Sequence, residues 1–174
     1  MVVGIADMKM AQYEGMLVTY ALGSCIGICL YDPGLRLAAL VHVMLPLNME
    51  TGRRSPMKYA DTGIRETLRQ MEARGARRSR MVAKIAGGAR MFEVAGGGSL
   101  GRVLVKQGRH VRIVDLLPGV DEGQAALEVV EGRPVAAHGL LREDVGGTVA
   151  RTLLFDAESG EACIRSYGRP ELIF

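Results

Sequence analysis

One stretch constrains the fold of this chain more than any other. Ile26, Ile28 and Leu30 alternate with Gly27, Cys29 and Tyr31, the period-two pattern of a strand. The run breaks at Asp32-Pro33-Gly34, where proline presets φ and glycine admits the left-handed region, and an apolar run resumes from Leu37 to Leu45. Two strands joined by so short a turn form an antiparallel hairpin. A two-stranded hairpin is marginal in water, so this one must sit inside a larger sheet whose apolar faces are covered by other layers.

The rest of the chain supplies such layers. Val2 to Ile5 and Met16 to Thr19 are expected as strands ahead of the hairpin, and Asn48 to Pro56 as a polar loop. Ala60, Ile64, Leu68 and Met71 lie on one face of a predicted helix from Lys58 to Arg74, with Gly75 placed to end it. Further strands are expected at Met81 to Ile85, Leu100 to Val105, Val111 to Leu116, Pro134 to Ala137, Arg151 to Phe155 and Ala162 to Arg165. Asp121 to Glu131 reads as a short helix. Strands outnumber helices and their connections are mixed, so the expected class is α+β. No linker divides the 174 residues, which are expected to form a single domain over 1–174. With no Trp, three Phe and five Tyr, the core must be built from aliphatic residues and Met.

Charge and composition exclude several function classes. A net charge of +3 is too small to indicate nucleic acid. No apolar run reaches the roughly 20 residues of a membrane span, so direct membrane insertion is not expected. Three cysteines, an odd number, without a secretory leader point to reduced thiols and a cytoplasmic location.

The segment Thr19-Tyr20-Ala21-Leu22-Gly23-Ser24-Cys25 carries the chemistry. A Gly-Ser-Cys turn before a strand can lift a thiol to a sheet surface and aim backbone N–H groups of Ser24 and Cys25 at a substrate oxygen. A neighbouring imidazole can stabilise the thiolate. A hairpin turning near residues 32 to 36 pairs positions whose numbers sum to about 67, which sets His42 beside Cys25. A cysteine in an apolar strand is more often a small buried hydrophobe, and a histidine in Val41-His42-Val43 more often a satisfied core residue. Their coincidence beside a Gly-Ser turn brings the catalytic reading level with the structural one. Cys25, Cys29 and His42 lack a fourth ligand, so no metal is expected, and Cys163 reads as core. His110 and His138 have no evident partner. Gly87-Gly88 and Gly96-Gly97-Gly98 lack the frame of a nucleotide loop, so no nucleotide cofactor is expected. The arginines 65, 69, 74, 77, 78 and 80 read as a solvated face, or more sharply as a docking surface for an acidic partner, opposed only by Glu66 and Glu72.

Five blocks, taken together, resemble the CheD chemotaxis proteins. Thr19 through Cys25 with Ile26-Gly27-Ile28-Cys29-Leu30-Tyr31-Asp32-Pro33 is similar to T-x-G-L-G-S-C-V-x-V-x-L-Y-D-P. Val41-His42-Val43-Met44-Leu45-Pro46 resembles A-H-x-M-L-P, and Lys58-Tyr59-Ala60-Asp61-Thr62 resembles K-Y-A-D-T. Ala83 to Ala89 with Met91-Phe92 resembles A-K-I-A-G-G-A-x-M-F. Glu143-Asp144-Val145-Gly146-Gly147 with Arg151-Thr152 resembles E-D-x-G-G…G-R-T. Ala21 stands where the family pattern has its first Gly, and His110 where a G-x-R-N block would have Asn. The resemblance implies a glutamine deamidase of chemoreceptors with a Cys25, His42 and Thr19 constellation and no cofactor. It implies a β-sandwich of mixed sheets with helices packed outside, similar to bacterial toxin deamidase domains. The implied partners are the cytoplasmic domain of a methyl-accepting chemoreceptor and a CheC-type phosphatase of the response regulator. The segment 108–142 is longer than the family pattern.

Overall fold

A computed structural model describes residues 1–45, 48, 55–89, 140–145 and 147–173. The elements expected between residues 100 and 137, His110, His138, most of the loop at 48–56 and nearly all of the 108–142 segment lie outside the described residues. The described elements are nine strands and one α-helix. They are β1 (Asp7–Gln12), β2 (Met16–Leu22), β3 (Ile26–Asp32), β4 (Leu37–Val43), α1 (Ala60–Glu72), β5 (Val82–Gly87), β6 (Leu140–Val145), β7 (Arg151–Asp156), β8 (Ala162–Ser166) and β9 (Leu172–Ile173).

The strands form two sheets, one ordered β1-β4-β3-β5-β6 and the other β2-β7-β8-β9. The β5–β6 pair is parallel and the other strand pairs are antiparallel, so the larger sheet is mixed. Alternation along β3 and β4 feeds two cores. Ile28, Leu30, Ala39, Val41 and Val43 pack with Ile64, Leu68 and Met71 of α1. Cys29, Tyr31, Ala38 and Leu40 point the other way, toward Leu17, Leu22, Leu153, Phe155 and Ile164 of the second sheet. Both faces of β4 are covered, which is why all seven of its residues are buried. The architecture is an α+β sandwich with α1 packed outside the larger sheet.

Several expectations are corrected. The hairpin is present, but its loop is Pro33 to Arg36 and Asp32 pairs with Leu37, so opposed residues sum to 69. Arg36 adopts a left-handed φ of 44° within this loop, and the register slips two places from the sequence reading. His42 therefore faces Gly27, not Cys25. The strand expected at Val2 to Ile5 is reduced to one bridge between Val2 and Val18, because Ala6 at φ 55° turns the chain away. The true edge strand is β1, whose Met8 and Met10 pack toward the α1 core while Lys9 stays in solvent. Helix α1 begins later than expected, after a 3-10 turn at Pro56–Lys58, and Gly75 closes it at φ 89°.

The arginine cluster is more neutralised than its sequence suggested. Arg69 pairs with Glu66 and Arg78 with Glu72. Arg80 grips Asp32, with its Nε 2.9 Å from one carboxylate oxygen and a terminal nitrogen 2.7 Å from the other. Asp32 is fully buried and also accepts the N–H groups of Gly34 and Arg77. These donors hold its carboxyl below the usual range despite burial. The aspartate of the hairpin turn thus ties β3 to the segment entering β5.

Candidate active site

Glycine at position 27 lets the two sheets meet at the site. A Cβ there would lie 2.8 Å from Leu153 Cδ2, 3.0 Å from Leu22 Cδ1 and 3.5 Å from Thr19 Cγ2. Without it, β2 and β7 close over β3 directly opposite His42, the cross-strand neighbour of Gly27. Thr19 and His42 are consequently buried together although they belong to different sheets. Thr19 Oγ1 is 2.8 Å from His42 Nδ1 and donates to the Val3 carbonyl at 2.9 Å. The other ring nitrogen, His42 Nε2, is buried without a hydrogen-bond partner among the described residues.

Cys25 lies one residue before β3 and two before Gly27, and it packs against the core between the sheets. It is thus a diagonal neighbour of His42 on the same face, a relation within reach of longer side chains. Its turn is fixed from β5: Gly88 N–H donates to the Cys25 carbonyl at 2.8 Å, and Ala89 N–H to the Gly23 carbonyl at 2.7 Å. Gly87 sits at φ 117°, and a Cβ on it would fall 2.2 Å from the Cys25 carbonyl oxygen. Only glycine permits that approach. The Gly87-Gly88-Ala89 segment is therefore a cradle for the cysteine turn, a role the sequence reading missed because neither a phosphate-loop frame nor a matched block shows what those glycines touch.

Burial opposes charge on both reactive groups. It lowers the pKa of His42 below 6.5. It raises that of Cys25 above 9.0, against the partial relief of a hydrogen bond from the Ser24 side chain. Burial therefore works against both the thiolate and the imidazolium, the two charged forms a thiolate–imidazole pair would need. Cys29 is wholly buried, which drives its thiol far up, and Cys163, hydrogen-bonded to Glu171, is pushed up to about 11. Cys163 is half-buried in β8, paired with both β7 and β9, rather than in the core. Among the described residues no group of three or more His, Cys, Asp or Glu is arranged to hold a metal ion. No helix among them is long and apolar enough to cross a membrane.

A neutral imidazole with one nitrogen fixed and the other bare can accept a proton, and a half-exposed thiol can act as nucleophile once deprotonated. The structure thus joins Thr19 to His42 and sets Cys25 on the same face, with no hydrogen bond between Cys25 and the imidazole among the described residues. The contact that the sequence reading missed is the Val3 carbonyl, which accepts from Thr19 and, being backbone, leaves no mark in a side-chain motif.

Known proteins resemble the chain along nearly its whole length. A family model described as CheD chemotactic sensory transduction matches residues 44–109. The chain is 38% identical over 172 residues to the probable chemoreceptor glutamine deamidase CheD of Syntrophomonas wolfei subsp. wolfei, covering 98% of this chain and 96% of that protein. It is 40% identical to the protein of the same name from Moorella thermoacetica, over 97% of this chain and 91% of the relative. Identity is also 40% to the Symbiobacterium thermophilum counterpart, with 97% and 93% covered.

Proposed function

The chain belongs to the CheD family, and from that premise we propose that it deamidates glutamine side chains of chemoreceptors with Cys25 as nucleophile. The observation that carries the mechanism is the buried Thr19–His42 contact at 2.8 Å, which leaves Nε2 bare on the face that Cys25 shares. The Cys25 sulfur adds to the carboxamide carbon while His42 Nε2 takes the thiol proton. Backbone N–H groups of Ser24 and Cys25 hold the oxyanion that forms on the former carbonyl oxygen. The imidazolium then returns its proton to the departing nitrogen, the C–N bond breaks, and ammonia leaves a thioester on Cys25. Water, losing its proton to the same Nε2, adds to the thioester; the C–S bond breaks, releasing glutamate and restoring the thiol. Every proton has a source and a destination within the protein, substrate and water, so these steps use no metal or organic cofactor.

Thr19 acts in this scheme through its hydroxyl, as the member that orients the imidazole. The whole of residues 1–174 serves as one deamidase domain working in the cytoplasm, where the receptor's signalling helices lie. A CheC-type phosphatase is the second partner, competing with the receptor for the face around Cys25. The name shared by the full-length relatives supports the receptor as substrate.

The test is mass spectrometry of a receptor cytoplasmic fragment after incubation. Each converted glutamine gains about one dalton and releases one ammonia, as the proposed hydrolysis requires. Cys25→Ala should abolish conversion while leaving the circular dichroism spectrum and fragment binding intact. A Cys25→Ala variant that still converts glutamine would remove the cysteine from the reaction.

A further inference from the structure

We propose that the backbone carbonyl of Val3 is a fourth member of the catalytic relay, which fixes the tautomer of His42 and so makes Nε2 the base; the inference rests on the deamidase reading above. A threonine hydroxyl has one proton. Thr19 Oγ1 lies 2.9 Å from the Val3 carbonyl, which can only accept, and 2.8 Å from His42 Nδ1. The proton of Oγ1 must therefore go to Val3, and Oγ1 must accept from Nδ1. That assignment puts the ring proton on Nδ1 and leaves the lone pair on Nε2, the nitrogen without a partner among the described residues. Without the Val3 carbonyl, the Thr19 hydroxyl is free to turn and donate to Nδ1. The proton would then move to Nε2, and the ring could no longer take one from Cys25.

The path of the chain around Val3 supports this role. Val3 N–H donates to the Val18 carbonyl at 2.8 Å, which anchors it to β2 in the smaller sheet. Three residues later Ala6 N–H donates to the carbonyl of His42 itself at 3.0 Å, which anchors the segment to β4 in the larger sheet. Residues 3–6 therefore span the two sheets at the point where Thr19 meets His42. Val3 is also buried in the intersheet core, at 2% exposure, so its carbonyl is held in place by packing as well as by hydrogen bonds. Val3 is a positioning residue: it acts on the imidazole only through Thr19.

The experiment is nitrogen-15 NMR of the histidine ring in the resting, full-length protein, with His42 identified by its loss in His42→Ala. The expected signal is the Nδ1–H tautomer. A chain lacking residues 1–3 should fold, show Nε2–H at His42, and lose about 10²-fold or more in kcat with KM near the full-length value. Should the truncated chain fail to fold, Val3→Pro removes the N–H that anchors the carbonyl to β2 and is expected to give the same change. Thr19→Ser, which keeps a hydroxyl that accepts and donates, should retain the Nδ1–H tautomer, whereas Thr19→Val should lose it. In Thr19→Val the further loss of Val3 should add nothing, since members of one relay act as a unit. A full-length protein showing Nε2–H, or a folded Val3 variant keeping both Nδ1–H and full kcat, overturns the proposal. Absence of glutamine conversion by the full-length chain would instead overturn the deamidase reading, and the ring tautomer would still decide for or against the relay.

Discussion

His42 and Cys25 are both buried enough for charge to be disfavoured on each, in opposite pH directions. Between the two shifted values the pair is neutral, so alkylation of Cys25 by iodoacetamide in the free protein should keep rising past pH 9. A plateau near neutrality would instead mark a stable thiolate. On the acid side kcat/KM should hold at pH 6.5 and fall only as the pH drops through the lowered value of His42. Stability follows the same sign. The folded state disfavours the imidazolium, so His42 adds stability fully above about pH 6.5, and that contribution is lost as pH falls from there through the folded value. A pH profile of alkylation beside one of turnover checks both. The side chains of this site were legible in the sequence, since a thiol, an imidazole and a hydroxyl each declare their chemistry. Their charge states were not. Those depend on how much of the second sheet covers them, which the motif does not encode, and the Val3 carbonyl is a group that every residue carries.

Strand β2 carries a local strain that its sequence announces. Its ladder with β7 shifts between Thr19 and Leu22, and Ala21 sits in the bulge at φ 54°. An alanine in the left-handed region costs about 1–2 kcal/mol relative to glycine, against about 0.4–1 kcal/mol that glycine loses through unfolded-chain entropy. Ala21→Gly should therefore stabilise the protein by about 0.5–1 kcal/mol, read as a higher urea midpoint at unchanged m-value. A lower midpoint would show that the Ala21 methyl makes contacts worth more than the strain. At this scale the sequence was informative where both faces of a strand were apolar or the turn carried Pro and Gly, as in β3 and β4. It was silent on β1, whose only large apolar residues are two methionines on one face of an edge strand. The hairpin register was misjudged because a four-residue loop with Arg36 in a left-handed conformation has no signature as clear as Asp-Pro-Gly.

Taken whole, the molecule has two cores with separate duties. Leu68 is fully buried on the inner face of α1, and Leu153 is fully buried over Gly27 and paired with Thr19 across β2 and β7. Leu68→Ala and Leu153→Ala should each cost about 2–5 kcal/mol in chemical denaturation. Only the second should also lower kcat well below the unfolding midpoint, because its cavity lies under Thr19. Equal effects on turnover would mean that the α1 core also sets the site. The sequence allowed an α+β sandwich to be expected, yet it could not tell which strands lie in which sheet, since that is settled by partners far along the chain. This separation shapes how the molecule comes into being. Thr19 pairs with Leu153, so on a ribosome the strand bearing the threonine waits on the order of ten seconds for its partner to be synthesised. Cys25 and His42 are both made before residue 43, but the nascent chain cannot join them to Thr19 in a finished site until β7 emerges. Activity therefore awaits the emergence of β7.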